Sequence, residues 1–388
     1  MLAAADGRAA ESNTKLTAAA LLNFAFCVLT LYLNKTKTTN SHYPIKQETT
    51  MIDLRSDTVT RPTPEMLKAM TEAETGDDVF AEDPTVNAFE VKMAEKFGME
   101  AGLFVPSGTM SNQLCLKVLT EPGDEVIIDK LGHIFNYETG AASHLSSVQL
   151  HPLNGNRGKL SVDLIQSAIR PKNDWDPITK VIAVENTTNK GGGACYSKEE
   201  LKAIKELADE HELFVHLDGA RIWNAMVATR IEPEFFGTVA DTISICFSKG
   251  LGAPVGSMML ASESHIKKAR RFRKMWGGGM RQIGLLAAAA DYAVENHLGL
   301  LKTDHDRAKK FAAETDRSEY FSADPENVET NIVLFDVNES DAISWVKKFS
   351  DNGVGVVPFG HKTIRATFHF QITDQEFEKV LDVVKTIV

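Results

Sequence analysis

Lys249 stands in Ser244-Ile-Cys-Phe-Ser-Lys-Gly-Leu-Gly-Ala-Pro-Val-Gly-Ser257, where an apolar run ends and a glycine-rich loop begins. An amine at the mouth of a buried strand is partly desolvated. Desolvation favours its neutral form, and a neutral amine condenses with an aldehyde to a Schiff base. Asp218, in Leu217-Asp-Gly-Ala-Arg221, closes another apolar run. A carboxylate there can pair with a protonated ring nitrogen or cap a helix. An aldehyde and a pyridine nitrogen on one molecule describe pyridoxal phosphate (PLP). Ser107-Gly108-Thr109 suits the remaining part of that molecule, because small residues, free amides and a hydroxyl at a helix start make an anion seat. His133, in a loop after a third apolar run, can stack on a planar ring or move protons. Arg365, in Thr363-Ile-Arg-Ala-Thr367, offers a fork for an amino-acid carboxylate or an internal salt bridge. Trp276-Gly-Gly-Gly-Met-Arg281 is a flexible turn whose arginine could close over a phosphate or a neighbouring site. The chain has neither G-x-x-x-x-G-K-[ST] nor G-x-G-x-x-G after a strand, which weighs against a nucleotide site.

The elements that must position these groups alternate. Strands are expected over 101–106, 125–129, 180–185, 213–218 and 242–247, and a helix over 113–119. Ser197-Lys-Glu-Glu200 is a capping box opening a helix to about residue 212. Alternating strands and helices predict an α/β fold with a mostly parallel sheet. Ligands of such sheets bind outside the carboxyl ends of the strands. Glu185, Asp218 and Lys249 all lie at such ends, so their convergence on one rim is expected.

With 388 residues the chain is long enough for a large domain and a smaller one. A net charge of −11 argues against a nucleic-acid partner, whose phosphates need clustered cations. The one basic run, Lys267-Lys-Ala-Arg-Arg-Phe-Arg-Lys274, reads as the solvated face of a helix. Cys27, Cys115, Cys195 and Cys246 have neither metal nor disulfide spacing, so no metal is expected and a reducing, cytoplasmic compartment fits. Residues 16–33 are nearly all apolar and leave a membrane or signal segment open. A polar linker follows, and residues 1–50 read as a dispensable extension ahead of a true start at Met51.

From Asp53 onward the chain resembles the L-threonine aldolase family, which is PLP-dependent and of the aspartate-aminotransferase fold (fold type I). The resemblance rests on six motifs in order: Asp53-Leu-Arg-Ser-Asp-Thr-Val-Thr-Arg-Pro62, Pro106-Ser-Gly-Thr-Met-Ser-Asn112, Glu185-Asn-Thr187, His216-Leu-Asp-Gly-Ala-Arg-Ile-Trp-Asn224, the Lys249 segment and Gly277-Gly-Gly-Met-Arg-Gln282. It implies a large PLP-binding domain over 51–298 and a small carboxyl-terminal α+β domain over 299–388. It implies retro-aldol cleavage of a β-hydroxy-α-amino acid, in a homodimer or homotetramer with sites at the interface. Lys249 matches the Schiff-base lysine and Asp218 the partner of the ring nitrogen. Gly108 and Thr109 match the phosphate cradle, His133 the imidazole on the ring, and Arg221 an arginine beside the cofactor. Ser56 and Arg365 match groups that hold the substrate carboxylate. Arg281 matches an arginine near the phosphate or the carboxylate, serving across a subunit boundary.

One position departs from the pattern. Many members have a histidine near the substrate hydroxyl where this chain has Thr188. Thr188 cannot act as a base at neutral pH. His133 or an ordered water is then the candidate for that task, and a short neutral contact from Thr188 is expected to tolerate both threonine epimers. A β-eliminating lyase or aminotransferase of the same fold would share Lys249 and Asp218, and a non-catalytic scaffold would have no need of them.

Overall fold

A computed structural model of the chain describes residues 51–387. Its large sheet has seven strands: β2 (Ala101–Val105), β3 (Asp124–Asp129), β4 (Gln149–Leu153), β5 (Ile178–Glu185), β6 (Phe214–Gly219), β7 (Thr242–Cys246) and β8 (Ser257–Ala261). They lie in the order β2-β8-β7-β6-β5-β3-β4, and β8 alone runs against the others. Alternate residues of these strands enter two separate apolar clusters. Phe104, Ile127, Ile182, Val184 and Ile243 face one side. Leu103, Val126, Ile128, Val181 and Ala183 face the other. A period-two pattern that is apolar on both faces is what a sheet covered by helices on both faces requires.

A second sheet gathers β9 (Phe321–Ala323), β10 (Ile332–Val337), β12 (Val357–Pro358) and β13 (Thr363–Thr367), all antiparallel, in the order β12-β13-β10-β9. Phe311, Phe335, Phe349 and Phe368 fill its core, and Ile52 and Leu54 join them. This amino-terminal arm is held by β1 (Ile52–Asp53), which pairs in parallel with β11 (Val354–Gly355).

Five strands and the 197–200 capping box fall where the sequence places them, both box bonds being made (2.7 and 3.1 Å). Other elements differ. The helix expected over 113–119 spans Gly108–Leu119, so it opens at Ser107-Gly108-Thr109, the residues read as a helix start, with the Ser107 hydroxyl accepting the Met110 amide at 3.2 Å. Such a cap stabilises by about 1 kcal/mol. The basic run lies on the helix Glu263–Met275, but not all of it is solvated. Arg273 is buried, donating to Asp78 at 2.5 Å and to the Phe104 carbonyl at 2.8 Å. Among the described residues no helix is long and apolar enough to cross a membrane. Residues 16–33, Cys27 and the expectations for 1–50 lie outside the described part.

Candidate active site

The parallel register brings the carboxyl ends of the strands to one rim. Glu185 lies opposite Asp218, and Asp218 opposite Ser244. β7 ends at Cys246, three residues before Lys249, and β2 delivers Ser107 and Gly108 to the same rim. A cavity of about 230 Å³ opens there, lined by Ser107, Gly108, Thr109, Asn112, His133, Cys246, Ser248 and Lys249 among others. Lys249 is half-buried, with Nζ 3.8 Å from the Cys246 thiol. The helix Gly108–Leu119 directs its amino terminus, with free amides and the positive end of its dipole, at this cavity. At Gly108 the approach is close: a Cβ would stand 2.7 Å from Cys246 Sγ.

Asp218 is 2% exposed and adjoins the cavity through His133, with which it lines a smaller recess. Its Oδ1 accepts the Ala220 amide at 3.1 Å, and its Oδ2 the Asn112 amide group at 2.9 Å. His133 turns Nδ1 to Glu138 at 2.9 Å. Burial alone would depress the imidazole pKa. The Glu138 hydrogen bond and the charges of Asp218 and Glu138 outweigh it, and the net shift is upward. Glu185 accepts the backbone amides of His133 and Asn189 at 2.8 and 2.9 Å. Burial first, then the charge of Asp218, push its carboxyl up to about 7. Across the rim Arg221 is locked to the fully buried Asp57 by two bonds of 2.7 and 2.8 Å. Arg221 shares a narrow recess with Lys249.

Arg365, on β13, donates to Asn189 Oδ1 at 2.7 Å and to the Arg55 carbonyl at 2.9 Å. Its Nε has no partner. Burial, with Arg221 nearby, lowers its pKa to about 10. A desolvated guanidinium with a spare donor is suited to an anion. Ser56 caps the short turn Asp57–Val59, where its hydroxyl accepts from Thr58.

Of the expected substrate-binding residues, none of Ser56, Arg365, Thr188 and Arg281 lines the Lys249 cavity. Thr188 is 2% exposed, and its hydroxyl donates to the Arg157 carbonyl at 2.9 Å, closing a glycine-rich loop that packs on it. Arg281 is exposed and pairs with Asp77 at 2.9 Å, also away from the Lys249 cavity. Conversely, Asp57, Asn112, Glu138 and Asn189 hold site residues in place and were not singled out from sequence. The available signal was position: Asp57 and Asn112 stand inside two of the motifs, and Glu138 and Asn189 follow closely on His133 and Glu185. His133, Glu138 and Asp218 bring polar atoms within 4.8 Å of one another, as a metal site would. The amide group of Asn112 already donates to both carboxylates there.

A family model described as beta-eliminating lyase matches residues 53–340. The probable low-specificity L-threonine aldolase 2 of Arabidopsis thaliana is 44% identical over 339 residues, covering 85% of this chain and 95% of that protein. The low specificity L-threonine aldolase of Escherichia coli K12 is 43% identical over 293 residues, covering 75% of this chain and 86% of that protein. Among solved structures, a threonine aldolase of Leishmania major shares the fold, with a TM-score of 0.75 at 20% identity, covering 86% of this chain and 98% of the other.

Proposed function

The chain belongs to the low-specificity L-threonine aldolases, within the beta-eliminating lyases, and from that premise we propose that it cleaves the Cα–Cβ bond of L-threonine and L-allo-threonine, giving glycine and acetaldehyde. It is a PLP-dependent lyase of fold type I. The observation that carries the reading is one cavity in which Lys249, His133 and a capped helix end meet beside the buried Asp218. The residues fit PLP. Ser107, Gly108 and Thr109 would hold its phosphate, at a position where a Cβ on Gly108 would crowd the cradle. Asp218 would hold its ring nitrogen and Lys249 its aldehyde, with His133 and Arg221 beside it. When bound, PLP supplies an electron sink for the bond that breaks.

The chain's own residues do the rest. Arg365 and Ser56 bind the substrate carboxylate and fix the orientation of the Cα–Cβ bond, a positioning effect of up to about 7–11 kcal/mol in well-oriented systems. His133, or a water it orders, takes the β-hydroxyl proton. The Thr188 hydroxyl is committed to Arg157, so tolerance of both epimers does not rest on it. Arg281, exposed on a glycine turn, serves the site of a neighbouring copy in a homodimer or homotetramer. The cofactor-binding body is 51–298 and the smaller part 299–388; the apolar clusters divide near this line, except that Ile52 and Leu54 of the arm join the smaller part's cluster and Leu301 joins the larger one's. The free thiols Cys115, Cys195 and Cys246 suit a reducing cytoplasm. Incubation of the PLP-loaded protein with each epimer tests the reading. Glycine and acetaldehyde are expected, and a keto acid with ammonia would make it a β-eliminating lyase instead.

A further inference from the structure

Three side-chain donors converge on the fully buried carboxylate of Glu138. His133 Nδ1 is 2.9 Å and Asn112 Nδ2 2.8 Å from Oε1, and Gln113 Nε2 is 2.6 Å from Oε2. An ionised carboxylate only accepts, so Nδ1 of His133 must carry a hydrogen, and in the neutral ring Nε2 is the free base.

The orientation of Asn112 is fixed from behind. His216 is buried, and burial brings its pKa down to about 4, so it is neutral. Its Nδ1 is 3.0 Å from the Thr242 hydroxyl and its Nε2 3.2 Å from Asn112 Oδ1. With Nε2 donating to Oδ1, the Asn112 amide nitrogen faces the site and gives one hydrogen to Glu138 and one to Asp218, at 2.8 and 2.9 Å.

We propose that Glu138 is a positioning residue that keeps the His133 proton on Nδ1 and frees Nε2 for the reaction, and that Asn112 ties this arrangement to the Asp218 carboxylate. The proposal rests on the reading of the site given above. It makes the proton affinity of the imidazole and the charge at the ring nitrogen two ends of one hydrogen-bonded chain. Glu138 and Asp218 favour the protonated imidazole and Lys249 opposes it, while Glu185, which accepts the His133 amide and is pushed up to about 7, is untouched by the loss of Glu138. Removal of Glu138 therefore lowers the pH at which Nε2 becomes available.

The test is Glu138→Gln in the PLP-loaded protein, alone and combined with His133→Asn. The acid limb of kcat/KM is expected to move to lower pH by about half a unit or more. At neutral pH kcat is expected to fall about tenfold or more, through loss of orientation. Both effects are expected to vanish in the His133→Asn background, because they act through the imidazole. The pH midpoint of the bound cofactor's absorbance, measured without substrate, is expected to fall as well, since a nearby anion has been removed. An unmoved acid limb and midpoint, or a loss of kcat undiminished in the His133→Asn background, would overturn the proposal. Should Glu138→Gln fail to fold, Asn112→Ser reads the same link from the other side. It leaves the Glu138 charge unshared, and both the limb and the midpoint are expected to rise; unmoved values again overturn it. The absorbance measurement needs no substrate, so it stands even if product analysis assigns a different reaction.

Discussion

The contact at Gly108 allows a quantitative test of the anion seat. In Gly108→Ala the new Cβ would lie 2.7 Å from Cys246 Sγ, closer than packed carbon and sulfur tolerate. Cys246 cannot easily yield. It is 3% exposed, its Sγ is 3.1 Å from Ser257 Oγ, and its carbonyl accepts the Trp223 indole N–H at 3.0 Å. Overpacking of this kind costs about 1–3 kcal/mol. The cheapest relief is to shift the amino terminus of the helix Gly108–Leu119, which carries the amides of the seat. If the whole strain appears in cofactor binding, affinity for PLP falls about 5- to 150-fold, at 1.4 kcal/mol per factor of ten. Cys246→Ala removes the obstructing sulfur. The double variant Gly108→Ala/Cys246→Ala is therefore expected to recover most of the lost affinity. PLP titrations of the wild type, both single variants and the double variant, followed by absorbance, give the coupling directly. Wild-type affinity in Gly108→Ala, or equal losses in the single and double variants, would refute the close-approach argument.

Lys249→Ala is expected to abolish turnover and the absorbance band of lysine-bound PLP, and near-native turnover would rule Lys249 out as the nucleophile. Asp57→Asn leaves the Arg221 guanidinium buried without its anion, at a cost of about 3–5 kcal/mol in urea unfolding at pH 7. Although burial opposes it, Arg221 holds the Asp57 carboxyl below its ordinary pKa, so the pair's contribution is full above about pH 4 and is lost as pH falls through the folded value. The gap between wild type and variant should therefore narrow in acid, and a gap independent of pH would contradict the pairing. Thr188→Ala is expected to cost about 0.5–1.5 kcal/mol by freeing the Arg157 carbonyl, with the epimer ratio of kcat/KM unchanged. A changed ratio would place Thr188 at the substrate after all.

What was legible from sequence follows from what is local. Lys249, Asp218 and Glu185 each end an apolar run, and the rule that parallel strands present ligands at their carboxyl ends brings them together without any tertiary information. β8 escaped notice because Ser-Met-Met-Leu-Ala has no alternation and follows a glycine-rich loop. β4 did so because Pro152 and polar residues mark it as an edge strand. The orientation of Thr188 was illegible for another reason. The family resemblance implies a histidine's place at this position, but the Thr188 hydroxyl is claimed by a carbonyl 31 residues away. Asn112 is similar, since its amide meets Asp218 across 106 residues, and no spacing rule encodes that contact.

The amino-terminal arm has a consequence for how the chain is made. Ile52 finds its strand partner at Val354, and the Leu54 amide and carbonyl bond to Gly355 and Thr367 at 2.8 Å each. Ser56 and Asp57 follow directly on that arm. On a ribosome adding about 5–20 residues per second, the arm emerges roughly 15–60 s before its partners. The large sheet can gather while synthesis continues, yet Arg221 waits for an anchored Asp57 until the last strand has left the exit tunnel. Closure of the site is thus a late, long-range event in biogenesis, of the kind that high contact order makes slow. A chain that stops short of Thr363 lacks Arg365 and Thr367, the last of the arm's partners, so a prematurely terminated product cannot assemble the complete site.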